Sequence, residues 1–165
     1  MLDHATPDQL PDPQGLIGPC SVDPMPLVRP MLTHRATCGF PSPAEDHMGE
    51  DLDLNSLCIN NAPATFFVQA ESTSMEGFGI QQGDVLVVDR SITAKHGDIA
   101  MVLWDGGYMI KKLAINGSAV RLISGSPDHP PILVPPETEL VVWGVVVWSL
   151  TRHRRTNRTG NLRFA

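Results

Sequence analysis

Residues 98–124 read DIAMVLWDGGYMIKKLAINGSAVRLIS, a succession of apolar and β-branched runs broken by Asp105-Gly106-Gly107 and by Asn116-Gly117. Glycine accepts the positive φ that tight hairpin turns require, so both breaks predict reversals of the chain. The stretch therefore predicts strands over 98–104, 107–113 and 118–124, each beside the one before it. The same texture begins at Thr65 and predicts further strands over 65–70, 84–89 and 139–149. Within the last of these, Val141-Val142-Trp143-Gly144-Val145-Val146-Val147-Trp148 is apolar at both alternating sets of positions, as in a strand covered on both faces. Gly144 there marks a bulge or a close approach of another backbone. The fold expected is mostly β: a compact antiparallel sheet or partly open barrel.

The region before this sheet is different in kind. Nine of the fifteen prolines fall between Pro7 and Pro43, where the apolar residues follow neither a helical nor a strand period. It reads as an extended arm with no core of its own. Asp51 to Cys58 leads into the first strand and has room for one turn of helix. The organisation expected is an arm over 1–38, a β domain over 39–151 and a basic tail over 152–165. A chain of 165 residues, 42% hydrophobic, suits one globular domain and leaves little for a second.

Charge and cysteine usage exclude several functions. The net charge of −6 hides an asymmetry, because Arg152, Arg154, Arg155, Arg158 and Arg163 lie in a tail without acidic residues. The remainder holds seven basic against eighteen acidic residues, and an acidic body argues against direct sequence-specific DNA binding. The tail reads first as a solvated terminus, with contact to nucleic acid or an acidic partner as the alternative. Cys20, Cys38 and Cys58 are odd in number and lack a CxxC pair, which supports neither a disulfide framework nor a zinc site. A reducing cytoplasm fits that usage. No Lys or Arg precedes Arg29, so no signal peptide is expected, and the apolar run Leu140 to Leu150 is too short to span a membrane.

Most chemical motifs fail. Gly77-Phe78-Gly79 is followed by Gly83 rather than by a glycine at 82, so the dinucleotide fingerprint is missed. His4, His34, His47, His96, His129 and His153 have no metal-ligand spacing, and neither metal nor cofactor is expected. Asp84 and Asp98 each follow a glycine at a turn, where a carboxylate commonly bonds the local backbone. What remains is Ser74, just after an apolar strand, and Lys111, 37 residues later in another strand. A serine hydroxyl needs a base to become a nucleophile, and a lysine serves as one only where burial disfavours its ammonium form. Lys111 shares a strand face with Met109 and Leu113, and Lys112 shares the other with Ile110 and Tyr108, so alternation leaves both lysines open.

In order and spacing, Cys38-Gly39-Phe40-Pro41-Ser42-Pro43, Asp53-Leu54-Asn55, Phe67-Val68-x-Ala70, Ser74-Met75, Gly83-Asp84-x-Leu86-x-Val88-Asp89, His96-Gly97-Asp98-Ile99 and Lys111-Lys112-Leu113 resemble the UmuD family. That family belongs with the LexA repressor among self-cleaving serine peptidases. The resemblance runs from about Cys38 to about Val147. It implies that the chain cuts its own arm between Cys38 and Gly39 when stimulated by a RecA filament on single-stranded DNA. Ser74 would be the nucleophile and Lys111 the general base, with the backbone amides of Ser74 and Met75 as candidates for holding the oxyanion. The resemblance further implies a processed homodimer that joins a UmuC-like Y-family DNA polymerase in translesion synthesis during the SOS response.

One position departs from the family, which usually has glycine two residues before the nucleophile. Here it is Ser72, followed by Thr73. A side chain at 72 narrows the available backbone conformations and is expected to crowd the incoming substrate. Three rival readings have specific requirements. A LexA-like repressor needs a helix-turn-helix domain, which the proline-rich first 38 residues cannot supply. A signal peptidase needs a membrane anchor. A polymerase subunit with a decayed peptidase would be consistent with Ser72.

Overall fold

A computed structural model of the chain describes residues 15–21, 28–32, 48–138 and 140–153. Among the described residues ten strands are formed: β1 (Leu16–Pro19), β2 (Val28–Leu32), β3 (Met48–Asp53), β4 (Thr65–Gln69), β5 (Val85–Asp89), β6 (Ile99–Trp104), β7 (Gly107–Asn116), β8 (Ala119–Ile123), β9 (Ile132–Val134) and β10 (Val141–Leu150). Eight of them make one antiparallel sheet in the order β1-β4-β5-β10-β6-β7-β8-β9, which stays open with β1 and β9 at its edges. Strands β2 and β3 pair with each other in a separate antiparallel sheet. The mostly β, antiparallel expectation holds, in the form of an open sheet.

The turns follow the sequence closely. Asp105 and Gly106 have φ of 49° and 76°, and Trp104 pairs with Gly107 across them, which is the two-residue reversal whose twist matches the flanking strands. Gly117, with φ of 59°, turns β7 into β8. Asp53 ends β3 and caps the short helix Leu54–Cys58: its Oδ1 accepts from the Asn55 amide at 3.1 Å and its Oδ2 from the Ser56 hydroxyl at 3.1 Å.

The middle of the sheet is covered on both faces. Ala100 and Val102 of β6 enter one core cluster while Met101 enters the other, as period-two alternation demands. On β10, Val142 and Val145 join the first cluster and Trp143 the second. An odd offset can share a face only where the register slips, and the pairing of β10 with β6 shifts between Val142 and Gly144. The glycine also permits close packing, since a Cβ at 144 would stand 2.7 Å from Val88 Cγ1. Gly144 is thus both a bulge and a close approach.

Two features depart from the sequence reading. The short edge strand β9 lies between Pro130-Pro131 and Pro135-Pro136, whose turn character masks it. The segment read as an arm contributes β1 and β2. Strand β1 tolerates Pro19 because an edge strand has one side without ladder partners. Its neighbour Cys20 is buried, and the Cys20 amide donates to the Thr65 carbonyl at 2.9 Å. Residues 154–165 of the basic tail lie outside the described residues, as does the Cys38–Gly39 bond, in the connection from β2 to β3. Among the described residues, no helix is long and apolar enough to cross a membrane.

Candidate active site

The segment carrying Ser74 is fixed at both ends. After β4, Ala70 exchanges backbone hydrogen bonds with the Gly83–Asp84 turn, its amide donating to the Asp84 carbonyl at 2.9 Å and its carbonyl accepting from Gly83 at 2.7 Å. The buried Asp84 carboxylate accepts from the Gln81 amide and the Thr151 hydroxyl, each at 2.8 Å. Asp98 likewise accepts from the Lys95 amide at 2.7 Å, so both turn carboxylates hold local backbone.

Ser74 and Met75 then form a turn into the 3-10 segment Glu76–Phe78, which Gly79 closes with φ of 83°. The Gly125 amide donates to the Ser74 carbonyl at 2.7 Å and ties this turn to the loop after β8. Gly77 backs directly onto Gly125: a Cβ at 77 would overlap the Gly125 carbonyl oxygen, and one at 125 would stand 2.9 Å from the Gly77 nitrogen. The Gly77-Phe78-Gly79 motif therefore has a packing role. The Ser74 and Met75 amides have no acceptor among the described residues, which leaves them available to a negative oxygen.

Lys111 lies on β7 opposite Ala100 of β6. It is 8% exposed, and Ser74 is 7% exposed. Burial pushes the Lys111 ammonium pKa below its ordinary value. Both residues line one cleft of about 620 Å³, whose apolar wall includes Met75, Ile80, Met101 and Met109. Lys112 takes a different place, with Nζ 4.9 Å from the centroid of the Phe78 ring. The structure thus separates two lysines that alternation left open, and it is Lys111 that shares the cleft with Ser74.

Ser72 is exposed, also lines the cleft, and its Oγ lies 3.0 Å from Ser74 Oγ. Sequence reasoning treated this side chain as bulk and did not anticipate the hydroxyl contact. It also missed His129, which reaches the cleft from the loop between β8 and β9 and had no spacing signal to mark it. Among the described residues, no three His, Cys, Asp or Glu side chains are grouped to hold a metal ion.

The model of the peptidase S24-like family matches residues 30–147. Protein ImpA of Salmonella typhimurium is 41% identical over 128 residues, covering 77% of this chain and 86% of its own. Protein MucA of Escherichia coli is 38% identical over 125 residues, covering 75% and 85%. The LexA repressor of Bordetella avium is 29% identical over 146 residues, covering 88% of this chain and 66% of its own length.

Proposed function

Because the chain belongs to the peptidase S24-like family, as a UmuD-type member, we propose that it cuts its own backbone between Cys38 and Gly39 with Ser74 as nucleophile and Lys111 as general base. Membership itself makes the protein a serine peptidase of the LexA/UmuD type. The observation that carries the finer reading is that a buried serine and a buried lysine, far apart in sequence, line one cleft.

Neutral Lys111 takes the Ser74 proton as Oγ attacks the Cys38 carbonyl carbon. The Ser74 and Met75 amides hold the oxyanion that forms. Collapse of that intermediate breaks the bond to the Gly39 nitrogen, which receives the proton from Lys111 and leaves as an amine. Lys111, neutral again, deprotonates a water that attacks the Cys38–Ser74 ester. As that second intermediate collapses, Lys111 returns the proton to the departing Ser74 Oγ, which leaves a free Ser74 hydroxyl and a Cys38 carboxylic acid that ionises in water. Gly39 suits this role because it lets the backbone approach closely, and the tether supplies the bond at high effective concentration.

In this reading a RecA filament on single-stranded DNA stimulates the cut, and the processed homodimer serves a UmuC-like Y-family polymerase. The 165-residue chain incubated with RecA, ATP and single-stranded DNA is expected to yield a product beginning at Gly39. Another terminus by mass spectrometry, or no cut under RecA or mild alkali, rejects the cleavage assignment. The polymerase role has its own test, a lesion-bypass assay comparing chains that begin at Gly39 with the uncleavable Ser74→Ala chain. Equal bypass by both would remove the arm as the switch.

A further inference from the structure

Ser72 stands where the family usually has glycine, and it does more than occupy space. Its hydroxyl is the group within hydrogen-bond distance of Ser74 Oγ, at 3.0 Å, among the described residues. The two hydroxyls differ in surroundings: Ser74 is buried, whereas Ser72 is exposed at the cleft. We propose that Ser72 is a positioning residue, donating a hydrogen bond to Ser74 Oγ that holds the nucleophile and leaves its proton free for Lys111. This rests on the Ser74–Lys111 reading above.

The direction of the bond follows from proton accounting. A serine hydroxyl has one proton and two lone pairs. If Ser74 gave its proton to Ser72, none would point to the base. Ser72 can donate inward because water satisfies its own lone pairs at the exposed side. As Lys111 withdraws the Ser74 proton, Oγ gains negative charge and the bond from Ser72 becomes charge-assisted, stronger in the transition state than before it. A glycine there supplies none of this, so the departure from the family adds a donor at the reacting oxygen.

Two readouts on the intact chain test this. One is self-cleavage at mild alkaline pH, and the other is labelling of Ser74 by a small fluorophosphonate, which reports on the nucleophile without needing the arm. Ser72→Ala and Ser72→Gly are each expected to slow both by about tenfold, the typical worth of a hydrogen bond to a charged group. Ser72→Thr keeps the hydroxyl and should restore both to within about threefold of the parent chain, well inside that loss. Position 72 is exposed, so thermal melting should stay unchanged in all three. Faster cleavage by Ser72→Gly would mean that the side chain obstructs, and overturns the proposal. Slower cleavage with unchanged labelling would place the effect on the arm, and overturns it too. If the parent chain labels at Ser74 in a Ser72-dependent way but never cuts at Gly39, the positioning role stands and the cleavage assignment fails.

Discussion

Replacing Lys111 with methionine should abolish self-cleavage and, at neutral pH, make the protein more stable to heat. The two effects share one cause. Lys111 is 8% exposed, and burial holds its pKa below the ordinary lysine value. Between the lowered folded value and the ordinary unfolded value, the unfolded chain binds the extra proton, so stability from this group rises with pH across that window. Below the folded value the native state bears the full cost of burying the charge, and above the unfolded value it bears none. Methionine has similar length and no charge, so its advantage should be present at neutral pH and vanish in strong alkali.

With Lys111 as the proposed general base, its loss should slow cutting by at least about a thousandfold. Ser74→Ala should do the same, and the double variant should be scarcely worse, because the two groups act as a unit. In the parent chain, cleavage should rise with pH as Lys111 becomes neutral. Lys112→Ala, whose parent side chain lies over Phe78, should retain measurable cutting. Electrophoresis of the cleavage products and thermal melts across pH read all of these, and a dead Lys112→Ala beside an active Lys111→Met would reverse the assignment.

The second large effect should come from a residue that bears no chemistry. Gly77→Ala is expected to destabilise the fold by about 2 kcal/mol and to slow cleavage at least about tenfold, the scale of overpacking in a closed contact. An added methyl at 77 has nowhere to go but into the Gly125 carbonyl, so the loop after β8 must retreat. That loop donates the 2.7 Å hydrogen bond to the Ser74 carbonyl, and its retreat releases the turn that carries Ser74. Gly107→Ala is the control for stability: φ there is not positive and the nearest heavy atom, the Trp104 carbonyl oxygen, is 3.8 Å from the new Cβ. Equal melting temperatures for Gly77→Ala and Gly107→Ala would show that the two backbones do not pack as described.

What could be read in advance was governed by how local its cause is. Asp105-Gly106 and Asn116-Gly117 set their reversals through their own backbone preferences, so β6, β7 and β8 were legible, and β10 announced its two covered faces through unbroken apolar character. Strand β9 was hidden because its three residues sit among prolines and pair only through a neighbour. Strand β1 was hidden because its partner β4 lies some fifty residues on, by the register of Leu16 with Val68. At the site, Ser74 and the choice of Lys111 over Lys112 came from family resemblance, because strand alternation alone left both lysines open; their separate places, Lys111 in the cleft and Lys112 over Phe78, are visible only in the folded sheet. The Ser72–Ser74 contact and the meeting of Gly77 with Gly125 depend on how the chain turns back on itself, and no pattern of residue types encodes either.

Strand β1 has a consequence for what a cut would accomplish. The Gln69 amide donates to the Gly15 carbonyl and the Cys20 amide to the Thr65 carbonyl, each at 2.9 Å, while β2 is laddered to β3. Scission between residues 38 and 39 breaks one covalent bond and none of these. The nicked protein is then a two-piece complex, and departure of the smaller piece is a dissociation with its own lifetime, set by how the ladders fray. Its return is bimolecular, so dilution favours the bare body and crowding favours the complex, which co-elution of the fragment at different loading concentrations would reveal. Once the fragment has gone, the flank of β4 is an open strand edge with unpaired amides and carbonyls, receptive to any extended segment that can add to it.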